Sequence, residues 1–149
     1  MFPGKAYDET AIGDRFTTSL TVTETHLVLA AGLFGDFNPL HVDEGHAKGS
    51  RFGGRILHGP FTSALIASPV GMYFHTTAIA YVEQTCRFKA PVRPGDTLTT
   101  TWTIVDKLDK PKHHGGIVVL TCECRNQEGV VVAEADGKIL VASSSKKKR

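Results

Sequence analysis

The chain has 149 residues, enough for one domain with a sizeable core. Its net charge of +2 is more than accounted for by Lys146, Lys147, Lys148 and Arg149, so the remainder is slightly acidic and argues against a nucleic-acid surface. No apolar run reaches the roughly 18 residues of a membrane span, and the start Met1-Phe2-Pro3-Gly4-Lys5 lacks the apolar stretch of a secretory signal; a cytoplasmic protein with no membrane contact is the expectation.

Residues 1–15 are turn-rich, punctuated by Pro3-Gly4 and by Gly13-Asp14. Residues 16–23 alternate and are rich in threonine, which predicts a first strand. Thr23 then stands where it caps a helix from Glu24, whose charge suits the helix dipole. In that helix Leu27, Ala30, Ala31 and Phe34 recur at helical spacing and form one apolar face. Asp43 is placed to cap a short helix that ends at Gly49, and residues 51–54 form a glycine-broken loop. Residues 61–73 are the longest apolar stretch, with Pro60 in the first turn of a helix. Pro69 lies deeper, and a kink or stop is expected near residues 68–70.

After residue 78 nearly everything reads as strand: residues 80–89, 97–106, 116–126 and 130–141. A long helix followed by a run of antiparallel strands predicts an α+β domain in which the strands wrap that helix. The domain is expected over residues 1–142, with residues 143–149 a basic disordered tail. Cys86, Cys122 and Cys124 are odd in number and lack the paired spacing of a zinc site, so they read as reduced structural cysteines. His113-His114, beside Pro111 and Gly115-Gly116, reads as a solvated hairpin loop.

The chemistry concentrates in Gly35-Asp36-Phe37-Asn38-Pro39-Leu40-His41-Val42-Asp43. Pro39 keeps Asn38 out of the right-handed helical region, so helix cannot continue through this connection. Asn38 is expected to shape the loop rather than to touch a substrate. A constrained loop carrying Asp36 and His41 between two scaffold elements is a place to hold a water molecule. Further on, His58-Gly59 opens the long helix, whose first N–H groups lack intrahelical partners and suit a developing anion.

These residues carry a resemblance. The 35–43 stretch, followed by Phe52-Gly53-Gly54-Arg55-Ile56-Leu57-His58-Gly59, resembles the hydratase-2 signature of MaoC-like dehydratases, the (R)-specific enoyl-CoA hydratases. Phe88-Lys89-Ala90-Pro91-Val92-Arg93-Pro94-Gly95-Asp96 is similar to a late segment of the same family. The likeness spans about residues 8–142. It implies a single hot-dog fold, an antiparallel sheet wrapped around a long central helix, that assembles as a homodimer or a dimer of dimers. It also implies reversible hydration of trans-2-enoyl-CoA to (R)-3-hydroxyacyl-CoA, on a thioester of coenzyme A or acyl carrier protein. No cofactor is expected.

Such a hydration needs a base for the water that attacks C3, a proton at C2, and donors for the thioester oxygen. Asp36 is assigned as the base and His41 as its proton-passing partner, with the Gly59 N–H as oxyanion donor. Pro60 has no N–H and supplies no second donor, a departure from the family, where a hydrophobic residue follows His-Gly. His58 is divided between a structural role and contact with the pantetheine arm. Some relatives place a serine facing the aspartate where this chain has Ala64; Ser63 would support Asp36 only with a different rotation. Asp36, His41, Asp43, His46 and His58 cluster in sequence, but His41 and His46 are five apart rather than four, and no metal is expected. Arg51, Arg55, Arg87, Lys89 and Arg93 are candidates to meet phosphates of the carrier, among which the sequence does not choose. The alternatives are a hot-dog acyl-CoA thioesterase and a non-catalytic acyl-CoA-binding protein.

Overall fold

Threonines set the register of the sheet. In β3 (Thr97–Lys110) Leu98, Thr100, Trp102 and Ile104 are buried, while the alternate threonines point to the other face. There Thr97, Thr99 and Thr101 hydrogen-bond Thr21, Ser19 and Thr17 of β1 (Arg15–Thr21) at 2.8, 3.0 and 3.0 Å. The computed structural model describes residues 4–144. The remaining strands are β2 (Ala78–Phe88), β4 (Gly115–Arg125) and β5 (Val131–Ala142). All pair antiparallel in the order β1-β3-β4-β5-β2, so β1 and β2 are the edges.

Four helices precede β2: α1 (Glu24–Phe34), α2 (Pro39–Val42), α3 (Glu44–Gly49) and α4 (Gly59–Tyr73). Helix α4 lays Thr62, Ile66, Pro69 and Val70 on the inner face of the sheet. Complete burial of an aliphatic side chain such as Ile66 or Val70 stabilises by about 1.5–3 kcal/mol. Together with Trp102, Phe74, Leu27, Ile104 and Leu120 these residues form the core. The architecture is the α+β hot-dog fold. Within this chain the sheet covers one face of α4, and Ala64, Ser68, Gly71 and Met72 on the other face stay exposed.

Two expectations are corrected here. The helix does not break at residues 68–70 but runs through Pro69 to Tyr73. Proline removes one N–H from the ladder and frees the Leu65 carbonyl; on either side of it the Trp102 indole donates to the Ile66 carbonyl at 2.8 Å and Ser68 Oγ donates to the Ala64 carbonyl at 3.1 Å. Burial of Pro69 itself then favours continuation. Secondly, the connection between α1 and α3, which the sequence predicts as loop, contains the one-turn helix α2.

The cysteines are free, with Cys122 and Cys124 buried on one face of β4. Burial, first among the causes, pushes their thiols and that of Cys86 up, away from reactivity. At the C-terminus Ser143 N–H donates to the His114 carbonyl (2.8 Å), and Ser144 holds the Asp8 carboxylate through N–H and Oγ (2.7 and 2.8 Å). The rest of the expected tail, residues 145–149, lies outside the described residues. Among the described residues no helix is long and apolar enough to cross a membrane.

Candidate active site

Helix α1 starts at Thr23, whose N–H is accepted by His26 Nδ1 at 2.9 Å. It ends at Gly35, which adopts φ +70° in the left-handed region where glycine alone carries no Cβ penalty. That turn directs the chain away from the helix and presents Asp36. Two side-chain bonds then build the next turn. Asp36 Oδ1 accepts the Asn38 N–H (3.1 Å), and Asn38 Oδ1 accepts the Leu40 N–H (3.0 Å) as the N-cap of α2. Pro39 follows at the first helical position, where its missing N–H costs nothing. Asn38 therefore shapes the loop, as expected.

His41 rides on α2. Its Nδ1 lies 2.8 Å from the Ile56 carbonyl; because a carbonyl only accepts, Nδ1 carries the proton and Nε2 is left for chemistry. Nε2 sits 3.7 Å from Asp36 Oδ2. This is too long for a direct hydrogen bond and suits a water at about 2.8 Å from each group. The Asp36 side chain is 48% exposed and His41 13%, so solvent reaches the pair from the carboxylate side.

The loop is anchored from behind by Arg55. Its Nε donates to Glu44 Oε2 at 2.7 Å, and its guanidinium reaches both Glu24 oxygens at 2.8–2.9 Å. The hydrogen bond from Arg55 is the main reason the Glu44 carboxyl is held below the ordinary glutamate value. The clamp ties the starts of α1 and α3 together, with Ile56 immediately following Arg55. Ile56 also donates its N–H to the Leu40 carbonyl at 3.2 Å.

His58 is buried, 1% exposed, at the N-cap of α4. Its Nε2 donates to the Asp36 carbonyl at 2.9 Å, and its ring stacks on His41 with centroids 3.7 Å apart. Of the two roles the sequence allows, burial favours the structural one. Gly59 follows directly. Among the described residues its N–H has no acceptor, and a Cβ there would lie 3.3 Å from the Phe88 ring. Gly59 lines a cavity of about 430 Å³ with Arg51, Phe52, Leu57, Phe88 and Val92 among its walls.

The fold thus brings Asp36, His41 and the start of α4 together. It separates other candidates. Asp43 caps α3 by accepting the His46 backbone N–H (2.9 Å), and neither side chain joins the group formed by Asp36, His41 and His58. Asp36, His41 and His58 do offer ligand atoms within 4.8 Å of one another, a spacing a metal ion tolerates. Each histidine donates one N–H to a carbonyl, which leaves His41 Nε2, His58 Nδ1 and the Asp36 carboxylate open, with His41 Nε2 and Asp36 Oδ2 facing each other at 3.7 Å.

Ser63 does not serve Asp36: Gln84 of β2 donates to its Oγ at 2.7 Å and to its carbonyl at 3.1 Å, and Tyr81 donates to Gln84 Oε1 at 2.6 Å. Of the five cations, Arg55 is held by Glu24 and Glu44, Arg87 by Asp136 and Glu134, and Lys89 by Glu134. Arg93 donates to the Phe52 carbonyl. Arg51 lies over the Phe52 ring and has no carboxylate partner among the described residues. Sequence reasoning misses the Ile56 carbonyl and the His58 contacts. A backbone acceptor fifteen residues away from His41 has no side-chain signature.

Comparison with known proteins places the chain in a family. Residues 8–122 match the profile of the MaoC like domain. The chain is 33% identical over 135 residues to the (R)-specific enoyl-CoA hydratase of Rhodospirillum rubrum, covering 91% of this chain and 90% of that one. It is 32% identical over 120 residues to the 3-hydroxybutyryl-CoA dehydratase of Methylorubrum extorquens, 80% of this chain and 72% of the relative. In three dimensions the unliganded R-hydratase PhaJ1 of Pseudomonas aeruginosa superposes with a TM-score of 0.83 at 30% identity, covering 93% of this chain and 86% of that one. The family-model match over residues 8–122, together with relatives 33% and 32% identical, makes the chain a member of the MaoC-like family of hydratases and dehydratases.

Proposed function

We propose that the protein reversibly hydrates a trans-2-enoyl thioester of coenzyme A or acyl carrier protein to the (R)-3-hydroxyacyl thioester. The observation that carries this reading is the Asp36–His41 pair at 3.7 Å, too far apart to satisfy each other and spaced to share a water. The names of the relatives from R. rubrum and M. extorquens support the same reaction class.

In the hydration direction Asp36 takes a proton from water as the water oxygen bonds to C3. The π electrons of C2–C3 move toward the thioester carbonyl, whose oxygen gathers negative charge. The Gly59 N–H meets that charge at the positive end of α4. The proton taken by Asp36 passes to His41 Nε2, which delivers it to C2, so both groups end as they began. Atoms balance as one water added. Dehydration reverses each step. The Ile56 carbonyl keeps the Nδ1 proton in place throughout, so Nε2 is the working nitrogen. No step needs a redox group or a metal. A thioesterase would use a held water but has no proton to place at C2, the task assigned to His41.

A second copy of the chain completes this reading. Edge strand β2 exposes Ile79, Tyr81, Val82 and Phe88, and one face of α4 is uncovered. We place the twofold contact there, forming a homodimer; light scattering that returns a monomer mass would overturn it.

The function is tested by incubating the purified protein with crotonyl-CoA while following enoyl-thioester absorbance and free thiol. Absorbance loss without thiol, with (R)-3-hydroxybutyryl-CoA as product, is expected. Thiol release would assign a thioesterase. Binding of short and long enoyl-CoA esters without turnover would assign a binding protein.

A further inference from the structure

We infer that His58 is a positioning residue that ties the proposed acid–base pair to the N-terminus of α4, through one hydrogen bond to the Asp36 backbone and a ring stack on His41. The inference rests on the Asp36/His41 reading above and adds to it a residue that touches neither water nor substrate.

Three observations carry it. First, His58 is 1% exposed, and among the described residues its Nδ1 has no hydrogen-bond partner. An unsatisfied buried polar atom costs about 1–3 kcal/mol, so a ring that served only to fill space would be better replaced by an apolar one. What offsets that cost is the opposite nitrogen, whose N–H donates to the Asp36 carbonyl at 2.9 Å. Secondly, the ring lies on His41 at 3.7 Å with 26° between planes, while the Phe34 ring meets it edge-on at 6.5 Å. The His58 ring is therefore confined between α1 and α2. Thirdly, the His58 carbonyl accepts the N–H groups of Phe61 and Thr62 at 3.1 and 3.0 Å, so its backbone is part of α4.

The consequence is a chain of fixed contacts. Asp36 is held at its carboxylate by Asn38 and at its carbonyl by His58. His41 is held at Nδ1 by Ile56 and across its face by His58. Gly59, the proposed oxyanion donor, is the next residue along. His58 is the contact shared by all three, and it sets their relative placement. Misplacement of catalytic groups by about 1 Å can cost on the order of 10²-fold in rate.

The test uses three variants of the full-length protein. H58F keeps the ring and removes the donor; H58Q places an amide N–H near the Nε2 position; H58N places its amide nearer Nδ1, short of Asp36. H58F and H58N are expected to lower kcat by about 10- to 100-fold with KM within about threefold, and H58Q to recover to within about fivefold of wild type. Side-chain ¹⁵N resonances of His41 should move in H58F, which keeps a ring on the His41 face and lacks only the donor, so a shift there reports displacement of His41 rather than a lost stack. This second readout needs no turnover, so it decides the inference even where the crotonyl-CoA assay overturns the hydratase reading. Should H58F fail to fold, the H58Q–H58N comparison stands alone. Wild-type kcat with unshifted His41 resonances in folded H58F or H58N would overturn the inference. A raised KM at unchanged kcat would do so too, by making His58 a substrate contact, as would activity that falls only with the folded fraction.

Discussion

The outer face of the sheet and the connection from Gly35 to Gly59 are both polar, and they use polarity in opposite ways. On the sheet a broad cleft of about 770 Å³ is lined by Arg15, Arg87, Arg125, Glu123, Glu134 and Asp136. There Arg125 pairs with Glu123 at 2.7 Å, Arg87 with Asp136 at 2.9 Å, and the threonine rows bond one another. Along the connection Asn38, Asp43 and the Ile56 carbonyl hold the framework, yet the working atoms are left open. Asp36 Oδ2 and His41 Nε2 stand 3.7 Å apart, and the Gly59 N–H has no acceptor among the described residues. Size and charge density would favour the cleft as the functional site. Unspent hydrogen-bonding capacity on rigidly placed atoms favours the connection, because pre-positioned, unsatisfied groups are what a reacting water and oxyanion require.

The largest effect that tests this contrast is on turnover. D36A and H41A should each lower kcat by about 10²-fold or more with the fold intact, as loss of general acid–base catalysis demands. E134Q on the outer face should change kcat less than about twofold, since it disturbs only an exposed ion-pair network. Equal losses from the two regions, or none from either, would break the comparison.

A smaller effect sharpens it. G59A puts a methyl group 3.3 Å from the Phe88 ring at the start of α4. A loss of about tenfold in kcat is expected, because the ring and the helix start must give way by a few tenths of an ångström. Shortening the ring in the G59A/F88L double variant should restore part of that loss. A double variant no better than G59A would show that Phe88 is not what limits the site.

The smallest effect concerns the clamp behind the loop. The Glu44 carboxyl is held below its ordinary value chiefly by the Arg55 hydrogen bond. Its contribution is therefore complete above the ordinary glutamate value and is lost as pH falls through the lowered one. Amide exchange at Ile56, corrected for the intrinsic pH dependence, should speed by roughly two- to threefold on acidification through that window, in keeping with the small worth of exposed ion pairs. R55A should show the faster exchange at neutral pH and no further acid response. Unchanged exchange in R55A would remove the clamp from the account of the site.

The legible part of the molecule is the part decided by neighbours in sequence. The residue before Pro39 must be extended, Asn38 shapes the loop and Asp43 caps α3. Each of these is a contact over two to four residues, written in side-chain types, whereas the one-turn helix α2 that Asn38 caps is not legible. The alternation of β3 likewise declares which threonines face out. Asp36, His41 and Gly59 can be picked out because the motif is local and Pro60 marks the helix start.

The tertiary structure alone decided the contacts between distant backbone and side chain. Nothing in Ile56 announces that its carbonyl selects the tautomer of His41, and nothing in His58 tells a packed ring from a substrate contact. Ser63 is open to Asp36 by position, but Gln84 reaches it from an edge strand. Pro69 should interrupt a helix in isolation, yet packing against the sheet outweighs one missing N–H. The physical reason is common to these cases. Local propensities are worth about a kcal/mol or less per residue for most side chains, and they settle turns and caps; burial and the satisfaction of buried polar groups are comparable or larger, and depend on which segments the fold brings together.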